Sequence, residues 1–101
     1  MLVRHKVKQV IKSLKHRGLK RLYEKNDRSG IRPDLLDNVE RILTLLDAAG
    51  TAQALDLPRL GLHRLKGELK GYWAVTVRAN WRIIFRLEDG NAYDIELIDY
   101  H

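Results

Sequence analysis

The sequence predicts an α+β fold in which an N-terminal strand and two to three helices pack on a mainly antiparallel sheet. Two observations carry this prediction. Apolar residues recur every three or four positions over residues 33–50, as in a helix, and alternate with polar residues over 72–100, as in strands. The helical patterns come first and the strand patterns follow in one run, which favours helices covering one face of a meander.

The chain begins with a basic, weakly patterned leader. Residues 1–9 carry three cations and are expected to be flexible, whereas residues 10–101 are expected to form a single domain. At the start of that domain, residues 10–15 have the composition of a short edge strand, which Gly18 is expected to end.

Two helices are predicted next. A short one covers residues 19–25, and after a polar loop a longer one begins at Pro33 and stops at Gly50. A further helical turn is expected over residues 51–57. The long helix carries an apolar stripe that is predicted to be core: Leu35, Leu36, Val39, Ile42, Leu43, Leu46 and Ala49.

The strands are joined by a hairpin turn at Asp89-Gly90. A two-residue loop would pair Phe85 with Asp94 and mix apolar and charged groups on one face. We therefore predict a three-residue loop, which gives one dry face that includes Trp73 and Trp81. That register pairs Leu87 with Tyr93, Phe85 with Ile95 and Ile83 with Leu97, and leaves Arg82 and Arg86 near Asp94 and Glu96 on the other face.

The composition indicates a polyanionic partner. The net charge is +6, with basic residues concentrated in 1–28 and 63–86 and acidic residues in 87–101. A solvated basic surface explains this distribution equally well. The chain has no cysteine and no apolar run long enough for a membrane helix, which fits a cytoplasmic protein that does not contact a membrane.

Common catalytic motifs are absent from the sequence. There is no phosphate-binding glycine loop, no zinc helix and no histidine spacing suited to a metal, so no metal site or cofactor is predicted. What remains is a set of residue types that can cut RNA through its own 2′-hydroxyl, which needs a base, an acid and cations at the phosphate. The set is His63, Lys66, Tyr72, Arg82, Asp99, Tyr100 and His101.

Each member of this set also has a purely structural explanation. Arg82 can pair with an acid on a neighbouring strand, and residues 99–101 can be a frayed end. His63 and Lys66 are three positions apart, so a straight strand would send them to opposite faces. They reach one site only if the strand bends or ends near Leu65, which Gly67 makes possible.

The sequence from residue 11 to residue 101 resembles the HigB toxins of the RelE/ParE toxin–antitoxin superfamily. One departure is Arg64, where the family commonly has proline. The residues that carry the resemblance are Lys15, Gly18-Leu19, Ser29-Gly30, Leu62-His63, Leu65-Lys66-Gly67, Gly71-Tyr72-Trp73, Val75, Asn80-Trp81-Arg82, Gly90, Ala92-Tyr93 and Asp99-Tyr100-His101.

The resemblance implies the RelE-like microbial RNase fold, with the site on the concave face of a curved sheet. It implies a ribosome-dependent endoribonuclease that cuts messenger RNA in the decoding site of the small subunit. It also implies a HigA-like helix-turn-helix antitoxin, through which alone the toxin would reach operator DNA.

The resemblance maps the functional residues onto His63, Asp99, Tyr100 and His101, with Lys66 and Arg82 as partners of the phosphate charge. We assign Asp99 or His63 as the base, His101 as the acid, Lys66 and Arg82 as stabilisers of the transition state, and Tyr100 as a positioning or stacking residue. The residues expected to bind RNA are Lys12, Lys15, Lys20, Arg21, Tyr72, Arg78 and Asn80.

Two other functions stay open at this point. A non-catalytic basic module that binds RNA or DNA would have the same charge distribution. A gyrase-inhibiting toxin of the same superfamily is the second alternative, although it would not need His63, Lys66, Arg82 and His101 together.

Overall fold

A computed structural model describes residues 10–100, without the side chain of Ala49. The predicted leader, residues 1–9, and the predicted acid, His101, lie outside the described residues. The α+β prediction is confirmed: two helices precede a four-stranded antiparallel sheet of order β1-β2-β3-β4. The elements are α1 (Arg17–Lys25), α2 (Pro33–Ala49), β1 (His63–Arg64), β2 (Trp73–Arg78), β3 (Trp81–Glu88) and β4 (Asn91–Asp99), with 3-10 turns at Ala52–Leu55 and Gly67–Leu69.

The predicted N-terminal strand lies along β4. Residues 10–15 run parallel to β4 and form two isolated bridges, Ile11 to Ala92 and Leu14 to Ile95. The carboxylate of Asp47 on α2 accepts hydrogen bonds from the backbone N–H groups of Val10 and Ile11 at 2.9 and 3.1 Å, and from the Tyr23 hydroxyl at 3.0 Å. One side chain therefore ties the N-terminal segment to both helices.

The long helix has the predicted bounds. Pro33 occupies its first turn, and Gly50 ends it with φ of 64° and a backbone N–H that donates to the Leu46 carbonyl. A Cβ on Gly50 would clash with the Gly90 carbonyl and the Val10 side chain. The helix end therefore depends on glycine for two reasons, its left-handed backbone and its close approach to the β3–β4 turn.

The prediction that Gly18 ends a strand is wrong, because Gly18 lies in the first turn of α1. The helix begins at Arg17. The residue before it, His16, caps the helix, because its ring Nδ1 accepts a hydrogen bond from the Leu19 N–H at 3.2 Å. Gly18 is buried against Gly30 so closely that a Cβ would overlap the Gly30 carbonyl. It is needed for helix–loop contact and not to interrupt a strand.

The predicted hairpin register is partly wrong. The loop has two residues, Asp89 and Gly90, both with positive φ, so near the turn Arg86 pairs with Tyr93. A bulge follows, in which Phe85 on β3 lies opposite two residues of β4, Asp94 (φ of 54°) and Ile95. The extra residue restores the predicted pairing of Ile83 with Leu97. A bulge is expected beside Gly90, within a longer loop, but it lies farther along β4 and keeps one face dry without that loop.

The two faces of the sheet are covered differently. The helices pack on a large core that includes Val75, Ile83 and Phe85, and Trp73 and Trp81 border this core as predicted. The opposite face carries only a small buried cluster of Leu65, Ala74 and Ile84. Within residues 10–100, no helix has the length and apolar content needed to span a bilayer.

Candidate functional site

The face of the sheet that the helices leave uncovered carries most of the candidate residues. Directly paired residues share a face, and His63 pairs with Ala74, which pairs with Ile84 and then Glu96. Arg82 pairs with Ile98 on this same side. We call this surface the open face, and define it by His63, Tyr72, Arg82, Arg86, Asp94, Glu96 and Tyr100.

His63 lies at the edge of the open face with a defined ring orientation. Its Nδ1 lies 2.9 Å from the carbonyl oxygen of Gly61, and its side chain is exposed. A carbonyl oxygen can only accept, so Nδ1 carries the proton when the ring is neutral. The exposed Nε2 then has a free lone pair, which is the form of imidazole that acts as a general base.

The backbone after His63 ends the strand as the proposed site requires. β1 stops at Arg64, and Gly67 has φ of 69° at the start of a 3-10 turn. Lys66 lies between them, exposed, in an extended conformation at the start of that turn. The pleat of a straight strand therefore does not hold Lys66 on the face opposite His63.

Arg82 is anchored at the corner formed by β2 and β3. Its Nη1 donates to the carbonyl of Ala79 at 2.6 Å and to that of Trp81 at 3.2 Å, and Nε is shielded from solvent without a hydrogen-bond partner. These contacts hold the positive charge at the turn, near the end of β4, where Tyr100 N–H donates to the Asn80 carbonyl at 2.8 Å.

The C-terminal candidates alternate across the sheet. Asp99 pairs with Trp81, whose ring faces the helices and lies 5.5 Å from the Arg32 guanidinium. The pleat thus places Asp99 on the helix side at the strand end, and the exposed Tyr100 on the open face. Tyr100 therefore shares a face with Arg82, whereas Asp99 does not. The position of His101 is not described.

Two predicted RNA-binding residues meet on the open face. Lys15 Nζ lies 3.2 Å from the Tyr72 hydroxyl, and this hydrogen bond, followed by the nearby charge of Asp94, raises the pKa of Lys15 above its usual 10.5. β4 and β3 lie between these residues, and neighbouring strands are about 4.8 Å apart. The two side chains therefore meet across β3 and β4, over the open face.

An ion pair continues this polar surface. Arg86 Nε lies 2.9 Å from Asp94 Oδ2, which raises the pKa of Arg86, and the Ser13 hydroxyl accepts from the Asp94 N–H at 2.8 Å. The predicted register places Arg86 near Asp94, but it does not include the hydrogen bond between Asp94 and Ser13. Nothing in the sequence signals that contact, because Ser13 and Asp94 meet only through the parallel packing of the N-terminal segment on the β4 bulge.

The other predicted RNA-binding residues are spread over the surface. Lys20 and Arg21 are exposed on α1, which packs on the opposite face of the sheet. Lys12 is exposed on the N-terminal segment, whereas Arg78 and Asn80 lie at the β2–β3 turn. In the part of the chain that the structure describes, no group of three or more acidic or histidine side chains is arranged to hold a metal.

Comparison with known proteins finds a matching family and two similar relatives. A family described as the RelE-like toxin of the type II toxin–antitoxin system HigB matches residues 12–101. The chain is 45% identical to a protein named endoribonuclease HigB from Proteus vulgaris over 92 residues, which cover 91% of this chain and all of the relative. It is 33% identical to toxin HigB-1 from Vibrio cholerae serotype O1 over 85 residues, covering 82% of this chain and 90% of that toxin.

The fold has a match among solved structures. The YoeB dimer from Staphylococcus aureus contains a chain that superposes with a TM-score of 0.57 over 94% of this chain and 99% of that one. Sequence identity in this match is 16%, so it bears on the fold alone.

Proposed function

The chain belongs to the family of RelE-like HigB toxins of type II toxin–antitoxin systems, and on that premise we propose that it is a ribosome-dependent endoribonuclease. Its substrate is messenger RNA in the decoding site of the small ribosomal subunit. The observation that carries the proposal is His63 on the open face, with Nδ1 held by the Gly61 carbonyl and Nε2 exposed.

The reaction proceeds by attack of the 2′-hydroxyl oxygen on the adjacent phosphorus. His63 Nε2 takes the hydroxyl proton, the bond from phosphorus to the 5′-oxygen breaks, and a 2′,3′-cyclic phosphate and a 5′-hydroxyl are left. Lys66 and Arg82 stabilise the charge on the phosphorane, and His101 protonates the leaving oxygen. No metal enters this scheme.

The placement of the carboxylate favours His63 over Asp99 as the base. Asp99 lies on the helix side of the pleat, whereas His63 is exposed on the open face. In this proposal Asp99 orients the C-terminal residues, and Tyr100 positions a base by stacking on the open face.

The rest of the open face binds the RNA backbone and the ribosome. Tyr72 and Lys15 form a hydrogen-bonded pair there, with Arg78 and Asn80 at the β2–β3 turn. Lys12, and Lys20 and Arg21 on the helix side, contact ribosomal RNA outside the site. The protein acts in the cytoplasm, and a HigA-like antitoxin neutralises it and brings it to operator DNA.

The test is to express the protein briefly in growing cells and to map new 5′ ends on messenger RNA, comparing wild type with His101→Ala. We expect ends in frame with translation that carry a 5′-hydroxyl, and their loss in the variant. Purified ribosomes with messenger RNA should give the same products with the wild type and not with the variant.

Other outcomes would point to other functions. Growth arrest with intact messenger RNA and broken DNA would favour the gyrase-inhibiting branch. Ribosome binding without new ends in either protein would favour a non-catalytic basic module.

A further inference from the structure

A groove on the helix side of the molecule has no part in the proposed reaction. It lies between α2 and residues 57–60, which cover the edge of β2, and encloses about 400 Å³. Its floor is aliphatic, formed by Ile42, Leu45, Leu57 and Leu60. A concave apolar surface of this size can accept large side chains from a partner.

The groove leaves apolar surface in contact with water. Leu57 is 44% exposed. Within residues 10–100, the only other large hydrophobic side chain with comparable exposure is Tyr100, at 40%. Leu45 and Leu60 are half-buried beside it. Exposed aliphatic groups collected in one groove are typical of a surface that a partner covers.

Two cations border the apolar floor. Arg41 on α2 and Arg59 on the covering segment are both exposed and both line the groove. Neither forms an ion pair with another residue of the described range 10–100. An occupant that carries carboxylates beside its apolar side chains would complement both features.

We infer that this groove binds an acidic amphipathic segment of the antitoxin, with apolar side chains over Leu45 and Leu57 and carboxylates facing Arg41 and Arg59. The inference rests on the proposed function, which supplies an antitoxin as partner. The new elements are the surface of the toxin that the antitoxin binds and the apolar and charged contacts by which it binds.

Charge and shape select this occupant over two others. In a symmetric dimer each copy would present the same groove, so the interface would collect four arginines and the groove itself would supply no carboxylate to pair with them. A nucleic acid would gain from the two cations but not from an aliphatic floor, since no aromatic ring lines the groove for a base to stack on.

The test measures affinity for the purified helix-turn-helix protein encoded beside the toxin gene, by titration calorimetry with the full-length chain. Two variants address the groove: Arg41→Glu with Arg59→Glu, and Leu57→Asp. The matched control, Arg17→Glu with Lys25→Glu, reverses two exposed cations on α1. We expect each groove variant to lose at least about tenfold in affinity and the control to stay within about twofold.

All four altered residues of the double variants and Leu57 are exposed, so thermal denaturation should show each variant folded. Unchanged affinity in both groove variants would overturn the inference while wild-type binding still supports the toxin–antitoxin function. An equal loss in the control would also overturn it, because the effect would then be one of total charge.

Two further outcomes distinguish the alternatives. If wild type forms a dimer that the groove variants abolish, with antitoxin affinity unchanged, the occupant is a second copy and the inference is wrong. If wild type does not bind the neighbouring protein at all, the antitoxin assignment fails together with the groove, although the RNA-cleavage test would stand separately.

Discussion

The two faces of the sheet differ in what holds their side chains in place. On the helix side, nineteen buried residues form one core cluster that joins both helices, the N-terminal segment and the sheet. Among the described residues of the open face, only Leu65, Ala74 and Ile84 are buried, and Leu69, Tyr72 and Ile98 pack half-buried against them. The rest of this face is charged or polar.

This difference separates stability from activity. Positions on the helix side are fixed by packing, in which a change of one methyl group is felt. Positions on the open face are held by single hydrogen bonds at a solvated surface, such as Lys15 to Tyr72 and His63 to Gly61. Substitutions on the first side should therefore change the free energy of unfolding, and substitutions on the second should change the rate of RNA cleavage.

The largest effect is expected for His63→Ala. Loss of the proposed base should lower the rate of RNA cleavage by about 10²–10⁴-fold, while the free energy of unfolding changes little because the side chain is exposed. The matched control is Arg64→Ala, whose side chain stacks 4.9 Å from the Trp73 ring on the other face. If Arg64→Ala loses as much activity as His63→Ala, the separation of the two faces is wrong.

Gly50→Ala should destabilise the fold by about 3 kcal/mol, since the new Cβ meets the Gly90 carbonyl and the backbone is left-handed. Gly67→Ala has nearly the same positive φ but nothing near its Cβ, and should cost only about 1 kcal/mol. Urea unfolding of both variants measures the difference. Equal values would show that backbone strain alone, and not the contact with Gly90, makes Gly50 necessary.

Asp47→Ala should cost about 2 kcal/mol, because two backbone N–H groups and the Tyr23 hydroxyl lose their shared acceptor. Asp47→Asn keeps an acceptor oxygen and should lose about half as much. Hydrogen exchange at Val10 and Ile11 should speed up in the alanine variant before exchange in β3. Unchanged exchange there would mean that packing alone holds the N-terminal segment.

The smallest effect concerns the pair of Lys15 and Tyr72. The pKa of Lys15 is raised, so any stabilisation from its ammonium is fully present at neutral pH and is lost as the pH rises above 10.5. In Tyr72→Phe the pKa of Lys15, followed by NMR, should fall toward its usual value. No change would indicate that Asp94, and not the hydroxyl, controls this amine.

The sequence alone predicted the α+β architecture, the bounds of α2 and the dry face of the sheet. These features follow from local causes: a 3.6-residue apolar period between a proline and a glycine, and a two-residue alternation after it. Residues 10–15 were predicted as an edge strand from composition, and their bridges to β4 agree with that.

Only the tertiary structure decided how the hairpin and the open face are arranged. At the bulge Asp94 contacts Arg86 across the hairpin and Ser13, which is distant in sequence, so no local pattern signals where the bulge lies. The pairing of Asp99 with Trp81 likewise depends on register, whereas the tautomer of His63 depends on how the loop backbone turns the Gly61 carbonyl toward the ring. Residue types are set by the sequence, but which atoms face one another is set by strand pairing and packing between distant segments.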